Sequence, residues 1–133
     1  MSAYPSKSSL AAYRSVAAHS GVAMADPHRL IVMLMDGALE RISSARGAME
    51  HGETEARNRL IHRTVSIVQE LRASLNLEAG GELAANMANL YDYSNRQLLR
   101  ANIENRPELL DEVGNLIRQI RSAWVQIPAG QAR

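Results

Sequence analysis

The fold is decided by residues 90–102, LYDYSNRQLLRAN, which lie in the middle of a predicted long helix. Two of the chain's four tyrosines, Tyr91 and Tyr93, flank Asp92 in this stretch. At helical spacing the two rings lie about 200° apart, so one helix presents aromatic side chains to two different surroundings. We predict that Tyr91 packs in the core with its hydroxyl at the rim. Tyr93 either covers a neighbouring helix or lines a surface that a partner uses.

Start and stop signals divide the rest of the chain into long helices. Asp26 is a predicted N-cap with Pro27 at the first helical position, and Gly52 permits the left-handed conformation that ends this helix. A loop at residues 78–81 is expected to separate the second and third helices, and Pro107 stops the third and opens the fourth. The predicted helices span residues 26–51, about 54–76, about 82–104 and from 107 onward.

Apolar residues recur every three or four positions within each helix, which is the spacing of one buried stripe. The predicted core positions are Ile31, Leu34, Ala38, Ile42, Ala45 and Met49 in the first helix; Ile61, Thr64 or Val65, Val68, Leu71 and Leu75 in the second; Leu83, Met87, Leu90, Tyr91, Leu98 and Ala101 in the third; and Leu110, Val113, Leu116 or Ile117, Ile120 and Trp124 in the fourth.

Helices joined by short loops lie antiparallel to their neighbours, so the predicted fold is all-α: an antiparallel up-down four-helix bundle. We also expect a short N-terminal helix from about residue 10 to 18. Residues 1–9 and 128–133 are predicted to be flexible tails on either side of one domain, residues 10–127.

Two glycines, Gly37 and Gly47, lie inside the first predicted helix. Each costs about 0.5–1 kcal/mol relative to alanine. We expect the close approach of another helix to offset this cost.

The apolar coverage of several helices is broader than one core stripe requires. In the first helix Leu30, Met33, Met35 and Leu39 stand beside the stripe; in the second, Leu60 and Ile67; in the third, Tyr93, Leu99 and Ile103. This breadth indicates either tighter burial by the short N-terminal helix or a groove for a segment of another protein.

Composition excludes several classes of protein. A chain of 133 residues fits one domain, and the absence of cysteine rules out disulfides and thiolate sites and suits a reducing cytoplasm. The net charge is +1 without a basic stripe, so we expect no nucleic-acid partner. No apolar run approaches the roughly 20 residues of a membrane span, and no signal peptide is visible, so we expect neither membrane insertion nor secretion.

The residue patterns of common enzymes and metal sites are missing. The four histidines, at 19, 28, 51 and 62, share no ligand spacing, and the chain has no Glu-x-x-His pair of a di-iron bundle. Gly80-Gly81 lacks the pattern of a phosphate loop. We therefore expect no metal, no cofactor and no enzymatic activity, although a site assembled from distant residues stays an alternative.

The ordered set of motifs resembles the flagellar secretion chaperone family FliS from Leu10 to Ile127. The matching elements are Leu10 and Tyr13, Asp26-Pro27-His28-Arg29-Leu30-Ile31, Met33-Leu34-Met35-Asp36-Gly37-Ala38, Ile67-Val68-Gln69-Glu70-Leu71, Gly80-Gly81-Glu82-Leu83-Ala84, Leu90-Tyr91-Asp92-Tyr93 and Ala123-Trp124. The chain departs from the family at Met35, where an aromatic residue is common, and in its longer tail before Leu10.

The resemblance implies a cytoplasmic chaperone that binds the disordered C-terminal segment of flagellin and docks to the membrane protein of the flagellar export gate. Leu10 and Tyr13 are the expected gate contacts, in a segment that covers a substrate groove when flagellin is absent. The expected flagellin contacts are Leu30, Met33, Met35, Leu39, Ile42, Tyr93, Leu99 and Ile103. A structural bundle that self-associates through the same apolar residues is the alternative.

Overall fold

The computed structural model describes residues 26–127, which form four helices, named α1 (Pro27–Glu50), α2 (Thr54–Ala73), α3 (Leu77–Glu104) and α4 (Pro107–Val125). The predicted all-α class is confirmed. The short helix expected at 10–18 and the tails expected at 1–9 and 128–133 lie outside the described residues, so the proposed domain bounds stay a prediction.

The four helices close into a ring. α1 packs against α2 and α4, and α3 packs against the same two helices. α1 therefore lies diagonally opposite α3, and α2 diagonally opposite α4. Together with the short loops between consecutive helices, this order is that of an up-down bundle.

The helix ends follow the predicted capping chemistry at most positions. The Asp26 side chain accepts a hydrogen bond from the Arg29 amide at 3.3 Å, and Pro27 occupies the start of α1. Gly52 adopts φ 70° after α1, as expected. Asn105 also adopts a left-handed conformation, with φ 55°, and ends α3 just before Pro107 opens α4. Asparagine tolerates this conformation better than most residues, which makes it an effective stop here.

The loop expected at residues 78–81 is wrong in part. Asn76 caps a helical turn that begins at Leu77, and its side-chain oxygen accepts from the Ala79 amide at 3.0 Å. Only Gly81, with φ 56° and ψ −132°, departs from helical geometry within α3. The asparagine cap makes a turn of helix possible ahead of the glycine, so the break is a kink inside α3.

The predicted core stripes are confirmed at most positions. The buried apolar side chains of the common core include Ile31, Leu34, Ala38, Ile42, Ala45, Met49, Ile61, Val68, Leu71, Tyr91, Leu98, Ala101, Leu110, Val113, Ile117 and Ile120. Thr64 is the buried alternative in α2, where its hydroxyl donates to the Leu60 carbonyl at 2.8 Å. The predicted burial of Leu83 and Leu90 is wrong, because both are exposed.

Trp124 is half-buried, which corrects its predicted place in the core, and it joins the ends of the bundle. Its ring stacks on that of His28, with centroids 5.0 Å apart and planes 13° from parallel. The indole Nε1 donates to the His28 carbonyl at 3.0 Å, and His28 Nε2 lies 2.8 Å from the Trp124 carbonyl. A carbonyl oxygen only accepts, so Nε2 carries the hydrogen in this contact. The start of α1 is thus joined to the end of α4 by ring stacking and two hydrogen bonds.

Two arginine–aspartate pairs continue the seam between α1 and α4. Arg46 donates to Asp111 at 2.7 and 3.1 Å, and Arg121 donates to Asp36 at 2.6 and 3.3 Å. Both pairs are solvent-exposed, where an ion pair contributes about 0–1 kcal/mol, so they orient the two helices more than they stabilise them.

A neighbouring helix lies near only one of the two glycines in α1. A Cβ atom on Gly37 would lie 3.8 Å from Ile67 Cδ1 of α2, in ordinary contact. A Cβ atom on Gly47 would meet no atom within 4 Å, so the expectation of a close neighbour is wrong there. Gly114 of α4 also lies beside a neighbouring helix, with its Cβ position 3.7 Å from Ile42 Cγ2, again in ordinary contact.

Gly47 and Gly52 therefore predict opposite responses to the same substitution. Both have open space at the Cβ position, but Gly47 is helical and Gly52 has φ 70°. We expect Gly47→Ala to raise the free energy of unfolding by about 0.5–1 kcal/mol. We expect Gly52→Ala to lower it by about 1–2 kcal/mol, because a side chain strains the left-handed conformation. Urea unfolding measures both. A loss of stability in Gly47→Ala would contradict the open surface at this position.

Candidate functional site

The apolar residues expected on an outer face of α1 are largely core residues. Leu30 and Met35 are buried, so the expected outer face is wrong for them. Ile42 is buried in the core stripe, as predicted, and none of the three forms an open surface in the described bundle. Their burial follows from the ring, because α1 must cover two neighbours and needs a wider stripe than one helix pair would. Leu39 is half-buried against the core, and Met33 keeps 48% of its surface exposed.

Met33 and Leu39 lie on different edges of α1. Met33 is one turn before Gly37, whose Cβ position faces Ile67, so Met33 lies on the edge toward α2. Arg46 and Asp36 of α1 both form ion pairs with α4. Leu39 is seven residues before Arg46 and three after Asp36, so it lies on the same edge of α1, toward α4. The two side chains are about 120° apart around the helix and do not share one groove.

The expected contacts on α3 are divided in the same way. Tyr93 lies on the edge toward α4, where its hydroxyl donates to Glu112. Leu99 follows Asp92 by seven residues, and Asp92 pairs with Arg72 of α2, so Leu99 lies on the edge toward α2. Ile103, one turn further, continues that edge and is 83% exposed. Of the eight expected flagellin contacts, the structure brings Leu99 and Ile103 together as exposed neighbours.

A second apolar strip on α3 escaped the sequence analysis. Leu83 and Leu90 precede Gln97 at intervals of seven residues, and Gln97 donates to Glu112 of α4 at 2.9 Å, so both leucines lie on the edge toward α4. Leu83 is 70% exposed, and the half-buried Met87 lies between them along the helix. The sequence signal was present as a seven-residue repeat, but it was assigned to the core.

We name these two surfaces the α3–α4 strip (Leu83, Met87 and Leu90) and the α2–α3 strip (Leu99 and Ile103). Leu90 and Leu99 are nine residues apart, which places them about 180° from each other around α3. The buried face of α3, with Tyr91, Ser94 and Leu98, lies between them on the inner side. The exposed apolar surface of α3 is therefore divided into two edges.

A polar network borders the α3–α4 strip. Glu112 accepts from the Tyr93 hydroxyl through one carboxylate oxygen and from Gln97 Nε2 through the other. These two hydrogen bonds hold the pKa of Glu112 below its usual value, and the bond from Tyr93 has the larger effect. The same bond to Glu112 raises the pKa of the Tyr93 hydroxyl. The Arg96 guanidinium lies 5.9 Å from the centre of the Tyr93 ring. Tyr93 thus covers its neighbouring helix, the first of the two predicted roles.

Tyr91 takes the position predicted from its spacing. It is almost fully buried beside Leu98 and Ala101 in the common core, and this burial raises the pKa of its hydroxyl. The two tyrosines flanking Asp92 therefore have different roles: Tyr91 fills the core, and Tyr93 forms a hydrogen bond that joins α3 to α4.

Within residues 26–127, the histidines and carboxylates form no group of three that could hold a metal ion. The same part of the chain has no helix that combines the length and apolarity of a membrane span. Leu10 and Tyr13, the expected export-gate contacts, lie outside the described residues.

The geometry defines a class of protein: a helical bundle whose exposed apolar strips suit it to bind another polypeptide. Residues 9–131 match the family described as flagellar protein FliS. The chain is 44% identical over 112 residues to the flagellar secretion chaperone FliSB of Pseudomonas aeruginosa, covering 84% of this chain and 89% of that protein. It is 39% identical over 122 residues to the flagellar secretion chaperone FliS of Vibrio cholerae, covering 92% and 90%.

A third relative agrees. The chain is 40% identical over 121 residues to the flagellar secretion chaperone FliS of Salmonella typhimurium, and the match covers 90% of each protein. The chain belongs to the FliS family of flagellar secretion chaperones. The resemblance seen in the sequence is confirmed.

The Tyr93–Glu112 bond predicts a pH-dependent contribution to stability. Because the folded pKa of Glu112 is lowered from 4.5, its stabilising effect is present above pH 4.5 and is lost as the pH falls through the lower folded value. We expect Tyr93→Phe to lower the free energy of unfolding at pH 7 and to differ less from the wild type at pH 3, measured by urea unfolding. Tyr91→Phe removes a hydroxyl outside this network and should show a difference independent of pH. An equal Tyr93→Phe difference at both pH values would contradict the role of the carboxylate.

Proposed function

We propose that this protein is a cytoplasmic export chaperone that binds the disordered C-terminal segment of flagellin. In this role it prevents premature polymerisation and helps to deliver flagellin to the flagellar type III export gate. Membership of the FliS family supports the chaperone class. The observation that carries the proposal is the pair of exposed apolar strips on α3, which a folded bundle does not need for its own stability.

The positions of the strips indicate how such a segment binds. One straight helix cannot cover both strips, because they lie about 180° apart around α3. A disordered segment can bend between two short helices, one packed over the α3–α4 strip and one over the α2–α3 strip. Met33, on the α1 edge toward α2, offers a further apolar contact. Tyr93, beside the α3–α4 strip, and Leu39, on the α1 edge toward α4, are the proposed rim contacts.

The energetics also favour an extended contact. Ordering one residue of a disordered segment costs about 1–2 kcal/mol in backbone entropy. Complete burial of one leucine or isoleucine side chain returns about 1.5–3 kcal/mol. A partner helix of two turns therefore needs several apolar anchors, and one strip alone provides two or three. Binding over both strips provides five anchors without requiring a longer straight helix.

We expect a flagellin C-terminal peptide to bind in a one-to-one complex and to gain helix, measured by calorimetry and circular dichroism. Leu83→Ser with Leu90→Ser should weaken binding at least tenfold, and so should Leu99→Ser with Ile103→Ser, because each pair removes one strip. Thermal unfolding should change little, since these side chains are exposed. If the peptide is shortened to one of its two helices, one of the two double variants should no longer change its affinity.

Val125→Ser is the matched control, because Val125 is an exposed apolar residue outside both strips and follows Arg121 on the α1 side of α4. It should leave peptide affinity unchanged. Absence of any heat or helix gain with the peptide would sink the chaperone proposal. A wild-type protein that stays dimeric on dilution and becomes monomeric in the strip variants would support the self-associating bundle instead.

The N-terminal segment leads to a separate prediction. Leu10 and Tyr13 are three residues apart, so one helical turn would place them on the same face as a small apolar plug. We propose that this plug covers a substrate groove and is released for the export gate when flagellin binds. Removing residues 1–18 should leave flagellin affinity unchanged or higher, while binding to the cytoplasmic domain of the gate protein falls. Far-ultraviolet circular dichroism should show that residues 19–133 still fold. Unfolding on deletion, or intact gate binding, would end the plug proposal.

A further inference from the structure

A cleft between α1 and α2 has a chemistry different from that of the apolar strips. Its volume is about 360 Å³, within the usual range of ligand sites. The lining residues are Glu40, Arg41, Ser44, Arg59, Leu60 and Arg63. Three guanidinium groups thus face one carboxylate, with a hydroxyl and one apolar side chain beside them.

Within residues 26–127, none of these three guanidinium groups forms an ion pair with a carboxylate, Glu40 included. Every ion pair among residues 26–127 uses another arginine, namely Arg46, Arg72, Arg100, Arg106 or Arg121. Residues 1–25 and 128–133 contain no aspartate or glutamate, so their side chains cannot fill this role either. The excess positive charge of the cleft is left for a group from outside the chain.

The arginines are arranged at a cost to the bundle. Arg59 and Arg63 are four residues apart on α2, a spacing at which like charges destabilise a helix. On α1, Arg41 Nη1 donates to the Gly37 carbonyl at 3.1 Å. A Cβ atom on Gly37 would lie 3.4 Å from that nitrogen, so the guanidinium packs along the helix beside this glycine. One arginine of the cleft lining is therefore held in place by a backbone carbonyl.

The mixed lining selects among anions. A planar guanidinium binds carboxylate and phosphate groups through paired hydrogen bonds. Leu60 offers apolar contact that a small inorganic anion cannot use. Arg59 and Arg63 are separated by one helical turn, about 6 Å along α2, which matches two glutamates at the same spacing on a partner helix.

We propose that the α1–α2 cleft is a second docking site, which binds an acidic helical segment of a partner protein through two carboxylates one turn apart. An apolar side chain of that segment packs on Leu60. Because α1 and α2 lie across the ring from the α3–α4 strip, the cleft and that strip accept separate ligands at the same time.

The test uses the full chain and a capped alanine-rich helical peptide that carries one leucine and two glutamates four residues apart. Arginine side-chain NMR signals report the binding site. We expect saturable shifts at Arg41, Arg59 and Arg63 at low salt, reduced by added salt. A peptide with glutamine in place of both glutamates, and inorganic phosphate, should each bind at least tenfold more weakly.

Arg59→Gln with Arg63→Gln should weaken binding of the glutamate peptide at least tenfold without lowering the melting temperature. Arg29→Gln with Arg118→Gln removes the same charge from exposed positions outside the cleft and should keep the affinity within twofold. The proposal is overturned by the absence of saturable shifts, by phosphate binding as tightly as the peptide, or by an equal loss in the control pair.

Discussion

The bundle depends on the contact between α1 and α4, the two helices farthest apart in the chain. His28 and Trp124 are 96 residues apart, yet each accepts a hydrogen bond from the ring of the other and their rings stack. Consecutive helices pair through short loops at little entropic cost, whereas this pair must close almost the whole chain. Without it, the inner faces of α1 and α4 would be open to water, and residues such as Ile42 and Ile117 would lose their cover.

Closure of the ring also decides where the functional surface can be. Each helix has one buried face and two neighbours, so an apolar side chain outside the buried face must lie on one of two edges. On α1 the neighbours take up most of that surface, and Leu30 and Met35 are buried. On α3 the polar pairs with α2 and α4 are made by Asp92 and Tyr93, and apolar residues before and after these two along the helix stay exposed.

The sequence predicted the helices, most caps and the inner stripes because these depend on neighbours within one helix. Asp26, Pro27 and Gly52 act through the local backbone, and the stripe of α1 follows from its period alone. The candidate site was harder to predict, because the burial of an edge residue depends on what the adjacent helix places opposite it. Met35 and Leu83 illustrate the difference: the first was assigned to the surface and is buried, and the second was assigned to the core and is exposed.

The same reasoning explains why the two ends of α3 differ. Toward the C-terminal half, Tyr93 and Gln97 are held by one carboxylate on α4, so this part of the seam is closed by hydrogen bonds. Toward the N-terminal half, small residues such as Ala84 and Ala88 make the inner contact and leave Leu83 and Leu90 raised at the edge. A polypeptide that packs on these leucines meets a fixed polar boundary at Tyr93. In the proposed complex, that boundary would limit how far a bound segment slides along α3, while the leucines would provide the apolar contacts.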